Sequence, residues 1–76
     1  NCAIRFYRLG PPSSDYQEIG SAWLEGSIFV SPADAEQELR TRACEVGADA
    51  VVITDERYAV PFYGSTVQAV FISKRE

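Results

Sequence analysis

The two cysteines, Cys2 and Cys44, carry the clearest chemical potential in this chain of 76 residues. A closed zinc site needs four Cys or His ligands. The sequence has 2 Cys and 0 His, which excludes such a site, and the C-x-x-C spacing of thiol redox enzymes is absent. A disulfide, two unrelated free thiols or a modified Cys2 remain. We favour the disulfide, which in the chain-entropy model contributes roughly 3–4 kcal/mol for a loop of this length.

Carboxylates and hydroxyls offer two further chemistries, a cation site and a nucleophile. Asp49, Asp55 and Glu56 form a candidate acidic patch, but a loop that binds Ca²⁺ has acids at alternating positions with a turn glycine, and that pattern is missing. The hydroxyls at 13–14 and 65–66 have no His or neighbouring Lys as an activating base. We interpret the acids as a solvated strand end and the hydroxyls as turn residues. No catalytic residue, no metal site and no cofactor is therefore predicted, and the protein is not expected to be an enzyme.

Aromatic residues are the remaining candidates for a binding site. Tyr58, Phe62 and Tyr63 surround Pro61, and Trp23 is the single tryptophan. Aromatic side chains are enriched at binding hot spots and in ligand pockets. These four aromatic residues are the predicted binding residues. The alternative, that they cap the core or anchor the sheet face, stays open.

Charge and hydrophobicity narrow the classes of partner. The net charge is −4, from 7 basic and 11 acidic residues, which disfavours nucleic acid and anionic membrane surfaces. No apolar run approaches the ~20 residues of a membrane span, so this segment is not expected to insert directly into a membrane. An apolar fraction of 46% predicts a single globular domain over residues 1–76. The lack of methionine, even at position 1, indicates a trimmed part of a longer chain.

Two strands are predicted in the first third of the chain. Residues 3–9 alternate apolar and polar side chains, with Ile4 and Phe6 on one face. Residues 10–15 (GPPSSD) predict an exposed, mobile loop. Residues 16–25 predict the second strand, in which Gly20 indicates a bulge or a close backbone approach. The alternation places Ile19, Ser21 and Trp23 on one side and Glu18, Gly20, Ala22 and Leu24 on the other.

One helix is predicted over about 32–46. Ser31 is a typical N-cap, Pro32 suits the first helical position, and Gly47 suits the left-handed residue after the helix. Its apolar stripe comprises Ala35, Leu39, Ala43 and Val46. The pairs Glu36–Arg40 and Glu38–Arg42 have the favourable i,i+4 order. Cys44 lies away from the stripe, at a helix edge where it can meet the start of the first strand.

The last third of the chain predicts two further strands. Residues 49–57 contain β-branched residues on both faces and predict an interior strand, residues 58–65 a loop, and residues 66–73 the last strand. An eight-residue loop is too short for a parallel crossover, so these two strands are expected to be antiparallel. The expected fold is an α+β two-layer sandwich of order β-β-α-β-β, with one helix on a four-stranded, mainly antiparallel sheet. Its other sheet face is expected to be partly apolar and open to a partner.

The segment Leu39-x-x-x-Ala43-x-x-Val46-Gly47-Ala48-Asp49-Ala50-Val51-Val52 resembles the helix-to-strand junction of the YbjQ family and of RcsF-like envelope lipoproteins. The resemblance covers roughly residues 31–72 and includes the later Gln68-Ala69-Val70. It implies the β-β-α-β-β fold. RcsF-like proteins are periplasmic, disulfide-bonded and non-enzymatic, whereas YbjQ-like proteins are cytoplasmic oligomers of unsettled function. The metal-binding label of the YbjQ family has no matching ligand motif here.

Two hypotheses for function follow. The first is a non-catalytic domain of the bacterial cell envelope, periplasmic or anchored at the outer membrane, that acts through protein–protein contacts. It implies a signal peptide, and a lipid anchor either upstream or at Cys2, although Asn1 is not a favoured residue before a lipidated cysteine. The second is a cytoplasmic homo-oligomer of the YbjQ kind that binds a small ligand or metal. A protein partner or self-association is thus expected in either case.

Overall fold

The elements of the computed structural model follow the order expected from the sequence. The structure describes residues 2–26, 32–60 and 64–75. Four strands and one helix lie in these ranges: β1 (Arg5–Tyr7), β2 (Tyr16–Gly26), α1 (Pro32–Glu45), β3 (Ala50–Val60) and β4 (Gly64–Lys74). The fold is α+β, which confirms the predicted class. Ser31, the predicted N-cap, lies outside the described residues.

The four strands form one mixed sheet in the order β1-β3-β4-β2. β3 and β4 are antiparallel, as the short connection between them predicts, and β4 and β2 are antiparallel as well. β1 runs parallel to β3, with Arg5 opposite Ala50 and Tyr7 opposite Val52. β3 is therefore an interior strand, as its β-branched residues on both faces predicted.

The helix packs its apolar stripe against side chains of the sheet. Ala35, Leu39 and Ala43 are completely buried, so the predicted stripe is confirmed over these three residues. They belong to one core cluster with Ile4, Leu24, Ala48, Val51, Ile53, Val67, Ala69 and Phe71. Val46 does not belong to it. Its side chain is 54% exposed because the helix ends at Glu45, before the stripe completes another turn.

The end of the helix is a Schellman motif. Gly47 has a φ of 77° and donates its N–H to the carbonyl of Cys44, while Ala48 donates to the carbonyl of Ala43 at 2.9 Å. This pair of bonds defines the motif, and a contact between the residue after the glycine and the last turn often accompanies it. Ala43 and Ala48 are both buried in the core cluster. The predicted role of Gly47 is confirmed, and the motif directs the chain from α1 into β3.

Two bulges change which side chains share a face. In β2 the register shifts between Glu18 and Gly20, which confirms the bulge predicted at Gly20. Glu18 pairs with Ile72 and so lies on the sheet face away from α1. The simple alternation predicted that Glu18 shares a face with Ala22 and Leu24, and this prediction is wrong. In β3 the register shifts between Ile53 and Asp55 and again between Arg57 and Val60. A bulge inserts one residue and inverts the alternation that follows it.

The predicted element bounds are wrong at two places. The loop expected over 58–65 is shorter, because β3 continues to Val60 and β4 begins at Gly64, and residues 61–63 lie outside the described ranges. Ser65, expected in a turn, is buried in β4. The first strand was expected over 3–9 but spans Arg5–Tyr7, and Leu9 is fully exposed. Residues 11–15 are exposed, as predicted.

Candidate functional site

The sheet face opposite α1, called here the open face, has an apolar floor. Ala50, Val52 and Ile72 are buried there, although no helix of the described residues covers them. Tyr7, Tyr16 and Val70 pack around this floor and are half-buried. Because β3 and β4 are apolar on both faces, the sheet has a second set of apolar side chains on the face away from α1. The partly apolar open face expected from the sequence is therefore present.

The connection from β1 to β2 crosses the open face. β1 and β2 are at opposite edges of the sheet, three inter-strand spacings or about 14 Å apart, so residues 8–15 must pass over β3 and β4 or around their ends. Gly10 and Pro11 line a cavity of about 350 Å³ together with Tyr16, Glu18 and the apolar floor. Gly10 has a φ of 108°, a conformation that L side chains rarely adopt. This connection covers one part of the open face and leaves the part near Trp23 uncovered by it.

Trp23 lies on β2 at the uncovered end of the open face. Its side chain is 60% exposed, and it pairs with Gln68 of β4. The indole Nε1–H donates to Glu25 Oε2 at 3.2 Å, which orients the ring along the strand. A small cavity of about 220 Å³ lies beside it, lined by Ser21, Thr54 and Gln68 among others. An exposed aromatic ring next to a carboxylate can contact apolar and cationic groups of a partner.

Tyr58 lies on the other face of the sheet. The bulge at Thr54 puts Glu56 and Tyr58 on the side of α1, and the ring of Tyr58 is half-buried against the core cluster. Its hydroxyl donates to Glu56 Oε1 at 2.8 Å. Burial, followed by the Glu56 carboxylate, raises the pKa of Tyr58 to about 12. Tyr58 thus contributes to the core in a strand rather than to a loop surface.

The four predicted aromatic residues therefore do not form one described patch. Trp23 and Tyr58 are on opposite faces, and Phe62 and Tyr63 lie outside the described residues. Sequence reasoning could not separate Trp23 from Tyr58, because the bulge that inverts the alternation of β3 forms only when β3 pairs with β4. The binding role of Trp23 stays a prediction.

An ion-pair cluster that the sequence analysis missed joins three elements. Arg8 donates from Nε to Glu56 Oε2 at 2.7 Å and from Nη2 to Glu36 Oε2 at 2.9 Å. The guanidinium lowers the pKa of Glu56, chiefly through its hydrogen bond, and the two carboxylates raise the pKa of Arg8. No sequence pattern links these residues, since Arg8 and Glu56 are 48 positions apart. The predicted Glu36–Arg40 pair is replaced, because Glu36 binds Arg8 and Arg40 lies 5.1 Å above the ring of Phe6.

This cluster is suited to structural work rather than to proton transfer. A general acid or base works best with a pKa near the operating pH. The pKa of Glu56 is shifted down and that of Tyr58 is shifted up, so both move away from neutrality. Their hydrogen bonds instead connect the end of β1 to α1 and β3.

The two other acids of the candidate patch, Asp49 and Asp55, have structural partners. Asp49 Oδ2 accepts the backbone N–H of Lys74 at 2.7 Å and the hydroxyl of Ser73 at 3.2 Å, which holds the end of β4. Asp55 lies 4.0 Å from Arg57. Within the described ranges, no three His, Cys, Asp or Glu residues are grouped as metal ligands.

Cys2 and Cys44 form the predicted disulfide. Their Cα atoms are 5.7 Å apart, and Cys44 is exposed on the edge of α1 as the helix periodicity predicted. A cavity of about 540 Å³ beside the bond is lined by Arg40, Thr41 and Glu45. The bond joins the residues before β1 to the last turn of α1.

Comparison with known proteins leaves the family assignment as a prediction from the sequence. No family model, no curated protein and no solved structure matches this chain. Among the described residues, no helix is long and apolar enough to cross a membrane. A function for this chain must therefore be argued from the geometry of its own residues.

Proposed function

We propose that this chain is a non-catalytic domain of the bacterial cell envelope that acts through protein contacts, and that the open face carries the contact surface. The observation that carries the proposal is Trp23, a large aromatic residue 60% exposed at the end of an apolar sheet face. Tryptophan is among the residues most enriched at interface hot spots. A ring held by Glu25 in one orientation loses little conformational freedom when a partner covers it.

An oxidising, extracytoplasmic compartment is proposed on the basis of the disulfide. Cytosolic thiols are kept reduced, whereas small secreted domains use disulfides to supplement a small core. The bond here joins segments 42 residues apart and holds a three-residue strand. A periplasmic position, with a signal peptide and a lipid anchor upstream of Cys2, is the form that the resemblance to RcsF-like lipoproteins implies, because the Sγ atom of Cys2 is bonded to Cys44. The two-layer arrangement of α1 on the sheet is part of this proposal, because it leaves the open face free.

Site-specific photo-crosslinking in the host cells tests the contact surface. The full-length protein carries p-benzoylphenylalanine in place of Trp23 or, as the control, in place of Gln37, which is exposed on α1. We expect a discrete protein adduct from position 23 and none from position 37. Equal adducts, or none from position 23, would contradict the proposal. An adduct of twice the chain mass would favour the alternative homo-oligomer.

Thiol alkylation in acid-quenched cells tests the compartment separately. We expect that neither Cys2 nor Cys44 reacts with a maleimide before reduction and that both react after it. Mass spectrometry of the purified chain should then show a difference of two hydrogens between the oxidised and reduced forms. Two freely alkylated thiols in folded protein from cells would contradict the envelope assignment.

A further inference from the structure

The outer side of β2 is an open sheet edge. β2 has 11 residues, lies at the end of the strand order, and pairs with β4 from Tyr16 to Gly26. In the described ranges no strand pairs with its other side. An edge strand presents a row of backbone N–H and C=O groups that an added strand can bind.

The second half of β2 carries one exposed charge, Glu25, and otherwise lacks the features that usually block such an edge. Proteins protect edges with short strands, charged side chains (lysine above all), proline or bulges. β2 contains neither lysine nor proline, and its bulge lies at Glu18–Gly20, near the start of the strand. From Gly20 to Gly26 the register with β4 is continuous, so seven residues, including Trp23, form a regular edge.

The charge of this edge indicates what can pair with it. The sequence contains no Lys or Arg between Arg8 and Arg40, whereas β2 contains the exposed Glu18 and Glu25. Opposite charges on facing strands stabilise a pair, and like charges destabilise it. A second copy of β2 would bring two more glutamates and no basic residue. A partner segment that contains Lys or Arg would place a positive charge opposite each of these two glutamates.

Trp23 and Glu25 place an aromatic ring beside a carboxylate, a combination that attracts cationic side chains. They project from the same face of β2, and the indole donates to the carboxylate at 3.2 Å. A guanidinium or ammonium above the ring is attracted by the ring face and by the neighbouring carboxylate. If a partner segment adds as a strand beside β2, its Lys or Arg side chain can lie next to Glu25 of β2, because cross-strand neighbours are about 5 Å apart.

We propose that the edge of β2 binds an extended basic segment of a partner protein as an added strand, with a Lys or Arg side chain seated on Trp23 and Glu25. This inference rests on the proposed function, for which it names the partner's chemistry. Backbone hydrogen bonds supply affinity, and the cationic side chain supplies selectivity.

Three synthetic peptides test the proposal against the oxidised domain. The first alternates Arg with Val or Thr over ten residues, the second has Glu in place of each Arg, and the third is the basic peptide with every backbone amide N-methylated. Because the peptides lack tryptophan, the emission of Trp23 reports only on the domain. We expect the first peptide alone to shift this emission and to slow amide hydrogen exchange along β2. Binding of the acidic or the N-methylated peptide with equal affinity would overturn the proposal.

A matched pair of variants localises the cationic contact. Glu25→Gln keeps an oxygen that can accept the indole N–H but removes the charge, and we expect about two- to fivefold weaker binding of the basic peptide. Glu45→Gln, an exposed change at the end of α1, should leave the affinity unchanged. Equal affinity of the Glu25→Gln variant and the wild type would overturn the assignment of the cation to Trp23 and Glu25.

Failure of this inference and failure of the proposed function are distinguishable. If the photo-crosslinker at position 23 captures a protein in cells while no basic peptide binds, the contact surface stands and its basic occupant is wrong. If amide protection along β2 appears without peptide and grows with protein concentration, a second copy occupies the edge, which overturns the basic segment. If neither experiment detects a contact, both proposals fail.

Discussion

The two edges of the sheet are held in opposite ways. β1 has three residues, and its position depends on side chains: the disulfide from Cys2 before it and the ion pairs of Arg8 after it. β2 has eleven residues, and its backbone pairs with β4 along the strand. The three-residue ladder of β1 offers few backbone hydrogen bonds, whereas β2 pairs with β4 from Tyr16 to Gly26 and packs Ala22 and Leu24 against the core. The fold therefore concentrates its covalent and ionic attachments at β1 and leaves the outer side of β2 available.

The attachments at β1 also protect part of the core. Ile4 is buried in the core cluster, and Phe6 packs against it beneath Arg40. If β1 detached, these side chains would lose their contacts, and the apolar edge of β3 would be exposed. The comparison predicts that changes at the attachments of β1 reduce stability, whereas changes on the exposed side of β2 reduce binding.

Removal of the disulfide should have the largest effect. Cys2→Ser combined with Cys44→Ser, or reduction of the wild type, is expected to lower the free energy of unfolding by roughly 3–4 kcal/mol, because the unfolded chain gains the entropy of an open loop. Urea denaturation of the oxidised and reduced proteins measures this difference. Hydrogen exchange should accelerate first at β1 and at Ala50–Val52 of β3. If the oxidised and reduced proteins had the same urea midpoint, the hydrogen bonds between β1 and β3 would be sufficient to hold β1.

Arg8→Met should have the next largest effect. The ion pairs are partly exposed, so solvent screening limits the loss to about 1 kcal/mol.

The stabilisation from Glu56 is present above the usual carboxyl pKa of 4.5 and is lost as the pH falls through the lowered pKa of the folded state. Urea midpoints of the variant should therefore fall less between pH 6 and acid than those of the wild type. Arg57→Met is the control, since Arg57 is exposed and lies 4.0 Å from its partner. If Arg8→Met and Arg57→Met lowered the free energy of unfolding equally, the ion pairs of Arg8 would not stabilise β1 more than an ordinary surface ion pair does.

Tyr58→Phe should destabilise by about 0.5–1.5 kcal/mol, because Glu56 loses a hydrogen bond while the ring stays packed. The alkaline absorbance titration of the wild type should contain a late step near pH 12 from Tyr58, and the variant should lack that step. The raised pKa means that this contribution is complete below the usual value of 10.0 and is lost as the pH rises through about 12. If the late step persists in Tyr58→Phe, the assignment is wrong.

Trp23→Ala should have the smallest effect on stability, within about 0.5 kcal/mol, because the side chain is 60% exposed. The same change should abolish the binding of the basic peptide that the edge of β2 is proposed to support. Leu24→Ala, on the buried side of the same strand, is the matched control, and about 2–5 kcal/mol of stability should be lost there. A large loss of stability in Trp23→Ala would make Trp23 structural and remove the contact surface.

The sequence alone determined the features that depend on neighbours within one or two turns of chain. The stripe of Ala35, Leu39 and Ala43 follows from the helical period, and the turn at Gly47 follows from the preference of glycine for positive φ. The order of the elements and the interior position of β3 follow from alternation and β-branching. The position of Cys44 outside the stripe favoured a disulfide with Cys2 over a core role, and the structure contains that disulfide.

Only the tertiary structure decided which side chains share a face after each bulge and which distant residues meet. The bulge at Thr54 arises from pairing with β4, and it moves Tyr58 to the core while Trp23 stays on the open face. The contact of Arg8 with Glu56 requires β1 to lie parallel to β3, a choice made by packing across the sheet. A local pattern carries no information about such pairings, because the energies that select them come from residues tens of positions away.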